Sequence, residues 1–173
     1  AHPFQDELNI DGAHTAGRNI HGAVLLIQHK GSIHPADAQK LGIHVVPVSV
    51  VIGAKVYTEG VDVTADMVTG ALRSFVPVST SRPSVETFEA VYRSLILSGA
   101  TEIVSVHLSS KISGTLESAQ LAASRVAVPV HVVDSRQVGL GTGYSAGRAA
   151  RAASAGKSVD QVVAFDDAME RCR

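Results

Sequence analysis

The chain has 173 residues, 45% of them hydrophobic, and a formal net charge of −1. This length fits one domain with a sizeable core, and so small a charge excludes strong electrostatic attraction to nucleic acid or to an anionic membrane. Cys172 is the only cysteine, so the sequence offers no internal disulfide and no cysteine-ligated metal site, which fits a reducing compartment. The longest apolar run, residues 23–27, is too short to span a bilayer, and we expect a cytoplasmic protein without membrane insertion.

The first half of the chain predicts a β–α unit followed by a longer strand and a hairpin. Residues 24–28 have the pattern of a buried strand and residues 36–41 that of a short helix. The β-branched run over residues 43–52 predicts a second strand, with an edge position or a bulge at Pro47 because proline cannot donate a hydrogen bond to a sheet. Residues 55–59 are predicted to return as a short antiparallel strand.

Strands and helices alternate through the rest of the chain. The spacing of apolar residues predicts helices at residues 62–74 (capped by Thr64) and 85–98, a strand at 103–108, a helix at about 114–124, a strand at 130–133, and helices at 139–151 and 158–171 (the last capped by Ser158). Such alternation favours an α/β fold with a mostly parallel sheet flanked by helices and joined by right-handed crossovers.

A run of hydroxyl-bearing residues follows the central predicted strand. Ser109, Ser110, Ser113 and Thr115 surround Gly114 where a parallel strand would give way to a helix. Free backbone N–H groups, the positive end of the helix dipole and side-chain hydroxyls would converge there on one anion. The alternative is that Ser113 only caps the helix and Gly114 only eases a turn.

A second segment of the same kind, with the sequence VSTSRPS, favours the anion site over simple capping. Thr80 and Ser81 precede Pro83, which restricts Arg82 to an extended backbone and suits the first turn of a helix, with Ser84 as a further cap. Ligands of doubly wound sheets bind outside the carboxyl ends of the strands, so the two loops are expected to face each other across such a crevice.

Two motif matches in the sequence GLGTGYSAG are discounted. Ser145 lies in a G-x-S-x-G pattern typical of hydrolase nucleophiles, but residues 136–142 separate the pattern from the preceding strand, and no histidine follows His131 to complete a triad. Tyr144 stands where a dinucleotide-binding motif would have its third glycine. We therefore predict no catalytic residue and no cofactor.

The eight histidines show no spacing typical of a metal site. There is no HExxH, and four of them lie in or next to the irregular start of the chain: His2, His14, His21 and His29. His107, near the end of the central strand, is expected to be a buried imidazole with satisfied hydrogen bonds, and the alternative is that it points toward the crevice. We expect no bound metal.

Five sequence blocks follow one another between residues 41 and 150, within a match that covers about residues 41–173: LGIHVVPVSVVI, VYTEGVDVT, VSTSRPSVETFEAVYRSL, IVSVHLSSKISGTLESAQLAA and VHVVDSRQVGLGTGYSAGRAA. Together they resemble the N-terminal domain of the DegV family of bacterial fatty-acid-binding proteins, and the paired motifs TSxPS and SSxxSGT are the most specific part. The resemblance implies an α/β domain that, with a second α/β domain, encloses an acyl chain in a tunnel.

By this resemblance, five residues would hold the carboxylate of a long-chain fatty acid: Thr80, Ser81, Ser113, Gly114 and Thr115. The resemblance also implies a partner, because some members present the carboxylate to a fatty acid kinase that makes acyl phosphate. The protein would then be a non-catalytic lipid-binding protein without a cofactor.

The chain departs from the family pattern in three places. QHKGS at residues 28–32 replaces the usual T-D-S-T-A after the first strand, Arg82 stands where glutamine is common, and the chain stops where the family's C-terminal domain would begin. We therefore expect an irregular arm at residues 1–22 and one DegV-like α/β domain at residues 23–173, with the C-terminal domain absent.

Two alternative functions remain open on the sequence. One is a small α/β enzyme or binding domain for a phosphorylated or carboxylated metabolite, with the same loops as its anion site. The other is a truncated remnant that no longer binds a ligand and that exposes apolar surface where a second domain would pack.

Overall fold

The computed structural model describes residues 23–28, 33–59 and 61–170. The predicted arm at residues 1–22, most of the QHKGS segment at residues 28–32 and the predicted last residue of the final helix lie outside this part of the chain. The described part has seven strands and six helices: β1 Ala23–Gln28, α1 Pro35–Leu41, β2 Ile43–Val46, β3 Ser49–Ile52, β4 Lys55–Thr58, α2 Ala65–Arg73, β5 Val78–Ser81, α3 Val85–Leu97, β6 Glu102–His107, α4 Thr115–Ala123, β7 Val130–Asp134, α5 Leu140–Ser154 and α6 Val159–Glu170.

Four strands form a parallel sheet in the order β2–β1–β6–β7. The register of β1 places Leu25 opposite both Ile43 and Val104. The pairing of β6 with β7 ends at His107 and Asp134, which lie side by side at the carboxyl end of the sheet. The prediction of an α/β fold with a parallel sheet flanked by helices is confirmed.

The prediction of one strand over residues 43–52 is wrong, because the run divides at Pro47. Its first part, β2, joins the parallel sheet, whereas β3 belongs to a separate antiparallel sheet in the order β4–β3–β5. Proline lacks the N–H group that a continuous ladder needs, so the chain leaves one sheet there and enters the other. The predicted hairpin is confirmed, since β3 and β4 pair antiparallel and place Ile52 opposite Lys55.

The sequence VSTSRPS also differs from its prediction as a loop after a parallel strand. Its first four residues form β5, which pairs antiparallel with β3 and places Thr80 opposite Val50 and Ser81 opposite Ser49. Thr80 and Ser81 therefore lie on an edge strand of the small sheet, and only Arg82 and Pro83 separate that strand from the cap of α3.

Side-chain caps at three helices are confirmed. Ser84 Oγ accepts a hydrogen bond from the backbone N–H of Thr87 at 3.2 Å, and Thr64 and Ser158 accept equivalent bonds at the starts of α2 and α6. The predicted position of Pro83 in the first turn of α3 is wrong. Pro83 lies one residue before the cap of that helix.

The core lies on both faces of the parallel sheet. Side chains alternate along β6, so Ile103 packs with Phe88 and Tyr92 of α3, whereas Val104 and Val106 pack with α5 on the other face. β6 is thus buried on both sides, and its polar residues Ser105 and His107 are buried together with Ile103, Val104 and Val106.

Helix α5 lies close to the sheet because the side chains on its buried face are small. Ala146, Ala149 and Ala150 are buried in the same cluster as Val104 and Val106 of β6. Ser145 of the G-x-S-x-G pattern is also buried within this helix. A hydrolase nucleophile would instead lie in an exposed turn directly after a strand.

None of the six described helices combines the length and apolar character that a bilayer crossing requires.

Replacing Ala146 by leucine tests this close packing. Ala146 has no exposed surface, so we expect Ala146→Leu to lower the free energy of unfolding by about 1–3 kcal/mol through overpacking against the sheet. Ser154→Leu, at the exposed end of the same helix, should change it by less than about 0.5 kcal/mol. Urea denaturation of the two variants gives both values, and equal effects would contradict the packing described here.

Candidate functional site

The loops that follow β6 and β7 are joined at the carboxyl end of the parallel sheet. The backbone N–H of Ser109 donates to the carbonyl of Gln137 at 2.9 Å, and the N–H of Ser135 donates to the carbonyl of His107 at the same distance. Ser109 is buried, and its Oγ accepts from the N–H of Lys111 at 3.3 Å. This hydroxyl therefore holds the loop in shape.

Ser110 is tied to Asp134, which lies at the end of β7. Ser110 Oγ donates to Asp134 Oδ2 at 2.6 Å, and the backbone N–H groups of Ser110 and Arg136 donate to Oδ1 at 3.2 and 2.9 Å. Burial acts to raise the pKa of Asp134, but these hydrogen bonds, led by that of the Ser110 hydroxyl, outweigh it and hold the pKa below its usual value. Asp134 thus stays ionised and fixes the loop after β6.

The start of α4 is formed by Ser113, Gly114 and Thr115. Ser113 Oγ lies 2.6 Å from Thr115 Oγ1 and accepts from the N–H of Thr115 at 3.3 Å. Thr115 is fully buried, whereas Ser113 and Gly114 are half-buried. Gly114 is the capping residue and supplies no side-chain acceptor, so the N–H groups of the first turn after that of Thr115 are left uncapped, unlike in α2 and α3.

Thr80 and Ser81 are exposed on the small antiparallel sheet. The hydroxyl of Ser81 donates to the carbonyl of Arg82 at 3.3 Å, which leaves its oxygen able to accept but engages its proton. Thr80 lies in a row with Val50 and Tyr57 across the three strands.

Arg82 brings the two hydroxyl-bearing segments into contact. Its guanidinium lies directly against Gly114, where an added Cβ atom would overlap Nη1 and come 3.1 Å from Cζ. Only glycine leaves room for this contact in its present geometry. The segment that ends with Thr80 and Ser81 therefore adjoins the start of α4.

A buried chain of hydrogen bonds links Tyr92, Ser105 and His107 on the same face of the sheet. The Tyr92 hydroxyl donates to Ser105 Oγ at 3.0 Å, and Ser105 Oγ lies 2.8 Å from His107 Nε2. Because Ser105 accepts from Tyr92, its own proton points to Nε2, which assigns the proton of the neutral imidazole to Nδ1.

His107 differs in one respect from the predicted imidazole with all its hydrogen bonds made. Its Nδ1 has no hydrogen-bond partner among the described residues, although the side chain is fully buried. Burial lowers the pKa of His107 to about 4, against a smaller opposite effect from the charge of Asp134, so the ring is neutral near pH 7. Phe88 packs edge-on against the ring, with the centroids 5.4 Å apart.

Large apolar side chains are exposed near these polar loops. Ile112 lies in the loop before α4, and Val138 and Leu140 lie between β7 and the first turn of α5; they are 60%, 61% and 78% exposed. All three follow strands of the parallel sheet at its carboxyl end. Apolar surface thus adjoins the hydroxyl-bearing turns.

The five residues named from the sequence fall into two groups in the structure. Ser113, Gly114 and Thr115 form one turn at the start of α4, and Thr80 and Ser81 lie on β5, which reaches that turn through Arg82. Sequence reasoning missed Asp134 as the anchor of Ser110, although its place at the end of a predicted strand was a usable signal. Within the described part of the chain, no group of three or more His, Cys, Asp or Glu residues is placed to hold a metal ion.

Comparison with known proteins adds a family to this geometry. Residues 31–171 match the family model described as an uncharacterised protein of the DegV family. A DegV domain-containing protein of Streptomyces coelicolor is 40% identical over 141 residues, and one of Deinococcus radiodurans is 38% identical over 130 residues. These alignments cover 81% and 75% of this chain but 50% and 46% of the relatives, so the chain spans about half the length of the curated relatives it matches.

Two solved structures share the fold. A DegV family protein from Thermus thermophilus, described as binding fatty acid, has 31% sequence identity and a TM-score of 0.80, with 86% of this chain and 53% of that chain covered. DegV from Bacillus subtilis, described as a fatty acid binding protein, has 25% identity and the same TM-score, with 87% and 54% covered.

Removing the Ser105 hydroxyl tests the buried hydrogen-bond chain. Ser105→Ala leaves the Tyr92 hydroxyl and His107 Nε2 buried without partners, so we expect the free energy of unfolding to fall by about 1–3 kcal/mol. Adding Tyr92→Phe to this variant removes one of the two orphaned groups and should recover part of the loss. Urea denaturation of Ser105→Ala, Tyr92→Phe and the double variant measures both steps. If the losses of the two single variants simply add in the double variant, the buried hydrogen bonds do not couple these residues.

Asp134→Asn tests the anchor of the loop that carries Ser110. We expect the free energy of unfolding to fall by about 1.5 kcal/mol at pH 7, because the charged acceptor of these hydrogen bonds is lost. The folded pKa of Asp134 is depressed, so the advantage of the carboxylate is complete above the pKa of the unfolded group, about 3.9, and disappears as the pH falls through the lower folded value.

Urea denaturation between pH 7 and pH 2 checks this pH dependence. Ser110→Ala removes one donor to the same carboxylate and should show a smaller loss with the same pH profile. A difference between wild type and Asp134→Asn that stays constant down to pH 2 would contradict the assignment.

Proposed function

Because this chain belongs to the DegV family, we propose that it binds the carboxylate of a long-chain fatty acid where the Thr80 and Ser113 segments meet, and that it carries out no catalysis. The observation that carries the proposal is the contact between Arg82 and Gly114, which joins the hydroxyl-bearing strand β5 to the uncapped start of α4. The residues proposed to form the site are Thr80, Ser81, Ser113, Gly114 and Thr115, the last by orienting Ser113.

The head group would be held by two kinds of hydrogen-bond donor and by the dipole of a helix. Side-chain hydroxyls come from Thr80 and Ser113, backbone N–H groups come from the first turn of α4, and the dipole of that helix favours a negative charge at its start. Thr115 is fully buried, so its hydroxyl would orient Ser113 across their 2.6 Å contact and would not itself reach the ligand.

The acyl tail would lie along the exposed apolar residues at the same end of the sheet, among them Ile112, Val138 and Leu140. Each methylene removed from water contributes about 0.8 kcal/mol, so affinity should rise with chain length as long as apolar surface covers the added carbons. The described relatives are about twice as long as the matched region, and we propose residues 23–173 as the domain that supplies the head-group site.

The exposure of the proposed site supports transfer of the ligand to a partner. Thr80, Ser81 and Arg82 are exposed, so the carboxylate would stay close to the protein surface while the tail is covered. We propose that a fatty acid kinase takes up the carboxylate from this position and phosphorylates it.

Replacing the two hydroxyls tests the proposal. The double variant Thr80→Ala plus Ser113→Ala should lower the affinity for palmitic acid about tenfold or more, because two hydrogen bonds to a charged group are lost at about 1.5 kcal/mol or more each. Ser154→Ala is the control, because Ser154 is an exposed hydroxyl at the end of α5, outside both hydroxyl-bearing segments. Native mass spectrometry for co-purified lipid and titration with palmitic acid measure the effect.

Three outcomes would contradict the proposed function. The first is the absence of fatty acid, both co-purified and added, from the protein. The second is an affinity for palmitic acid that the double variant leaves unchanged. The third is a small phosphate ester that displaces palmitic acid from the site, which would favour a phosphorylated metabolite as the ligand.

A further inference from the structure

Arg82 places a positive charge between the two segments of the proposed head-group site. It directly follows Ser81, the last residue of β5, and its guanidinium packs on the backbone of Gly114, the residue after Ser113. The side chain is exposed, so an incoming ligand reaches it without any unfolding of the core.

The charge of Arg82 has no hydrogen-bonded or ion-paired partner among the described residues. Two other arginines differ in this respect: Arg93 and Arg125 both pair with Glu89, at 2.8 and 3.4 Å. The guanidinium of Arg82 is instead positioned by van der Waals contact with Gly114. It keeps its five N–H donors for another group.

Glu117 is an acidic group close to this position. Glu117 lies in the first turn of α4, and its Oε2 atom is 3.7 Å from the position that a Cβ atom of residue 114 would occupy. Glu117 makes no ion pair with Arg82. The positive charge of Arg82 should raise the affinity for an anionic ligand at this position, and the negative charge of Glu117 should lower it.

The hydroxyl and N–H donors of the site do not by themselves require a charged ligand, since a fatty alcohol offers them an acceptor oxygen as well. A cation at this position favours a negatively charged ligand. We propose that Arg82 makes the site selective for an ionised carboxylate over an uncharged head group on the same acyl chain, and that Gly114 is needed so that the guanidinium can lie there. This inference rests on the proposed function and adds the determinant of its head-group selectivity.

The test compares two lipids that differ only in the head group. Radiolabelled palmitic acid and radiolabelled 1-hexadecanol are partitioned at pH 8 between phosphatidylcholine vesicles and the protein. We expect wild type to favour the acid, and Arg82→Gln to weaken its binding about fivefold, the size expected of one exposed ion pair, while leaving that of the alcohol unchanged. Arg82→Lys should retain part of the preference, and Glu117→Gln should increase it.

Three further arms separate charge from packing. Arg73→Gln, a change of the same charge at the exposed end of α2, should leave both partition ratios as in wild type. Raising the salt concentration should reduce the preference for the acid in wild type and have no such effect in Arg82→Gln. Gly114→Ala should lower the preference for the acid over the alcohol, because the added methyl group displaces the guanidinium.

The results distinguish this inference from the function on which it rests. Palmitic acid binding that is equal in wild type and Arg82→Gln would overturn the inference and leave the proposed function standing. An equal loss for acid and alcohol in Arg82→Gln would also overturn it, since Arg82 would then act only by packing. Failure of wild type to take up either lipid would overturn both.

Discussion

The burial of β6 on both faces positions the whole candidate site. Its even-numbered side chains meet the small residues of α5, and its odd-numbered side chains meet α3, so the strand cannot rotate or slip by one residue without placing Ser105 and His107 against α5. Because β6 is held in this register, the loop after it begins beside Asp134 of β7. That loop then leads to the uncapped start of α4, where the proposed carboxylate site lies.

Polar groups at this end of the sheet divide into those that hold the fold and those that face outward. The hydroxyls of Ser109 and Ser110 are used within the loop, the second by donating to Asp134 at 2.6 Å. The buried chain from Tyr92 through Ser105 to His107 fixes the strand below it. What is left facing outward is the half-buried Ser113, the first turn of α4 and the exposed residues at the end of β5. The hydroxyls of Ser109 and Ser110 therefore stabilise the loop, whereas Ser113, which is only a few residues further along the chain, faces outward.

The sequence predicted what depends on local patterns and missed what depends on distant pairing. The periodicity of α3 and its cap at Ser84 were predicted because both are contained in about fifteen consecutive residues. The change of sheet at Pro47 was missed, because β2 and β3 have the same β-branched composition and differ only in their partners. Similarly, the turn from Ser113 to Thr115 was evident from its motif, whereas the contact of Arg82 with Gly114 joins residues far apart in the chain.

The charge state of the bound head group tests the account most directly. Carboxyl-labelled [1-¹³C]palmitic acid bound to the protein can be titrated by ¹³C NMR and compared with the same acid in phosphatidylcholine vesicles. The account predicts a bound resonance whose pKa lies below that of the acid in vesicles, since hydroxyls, the start of α4 and Arg82 all stabilise the ionised form. A bound carboxyl whose pKa is equal to or above that in vesicles would place the head group in an apolar or solvent-exposed environment and would contradict it.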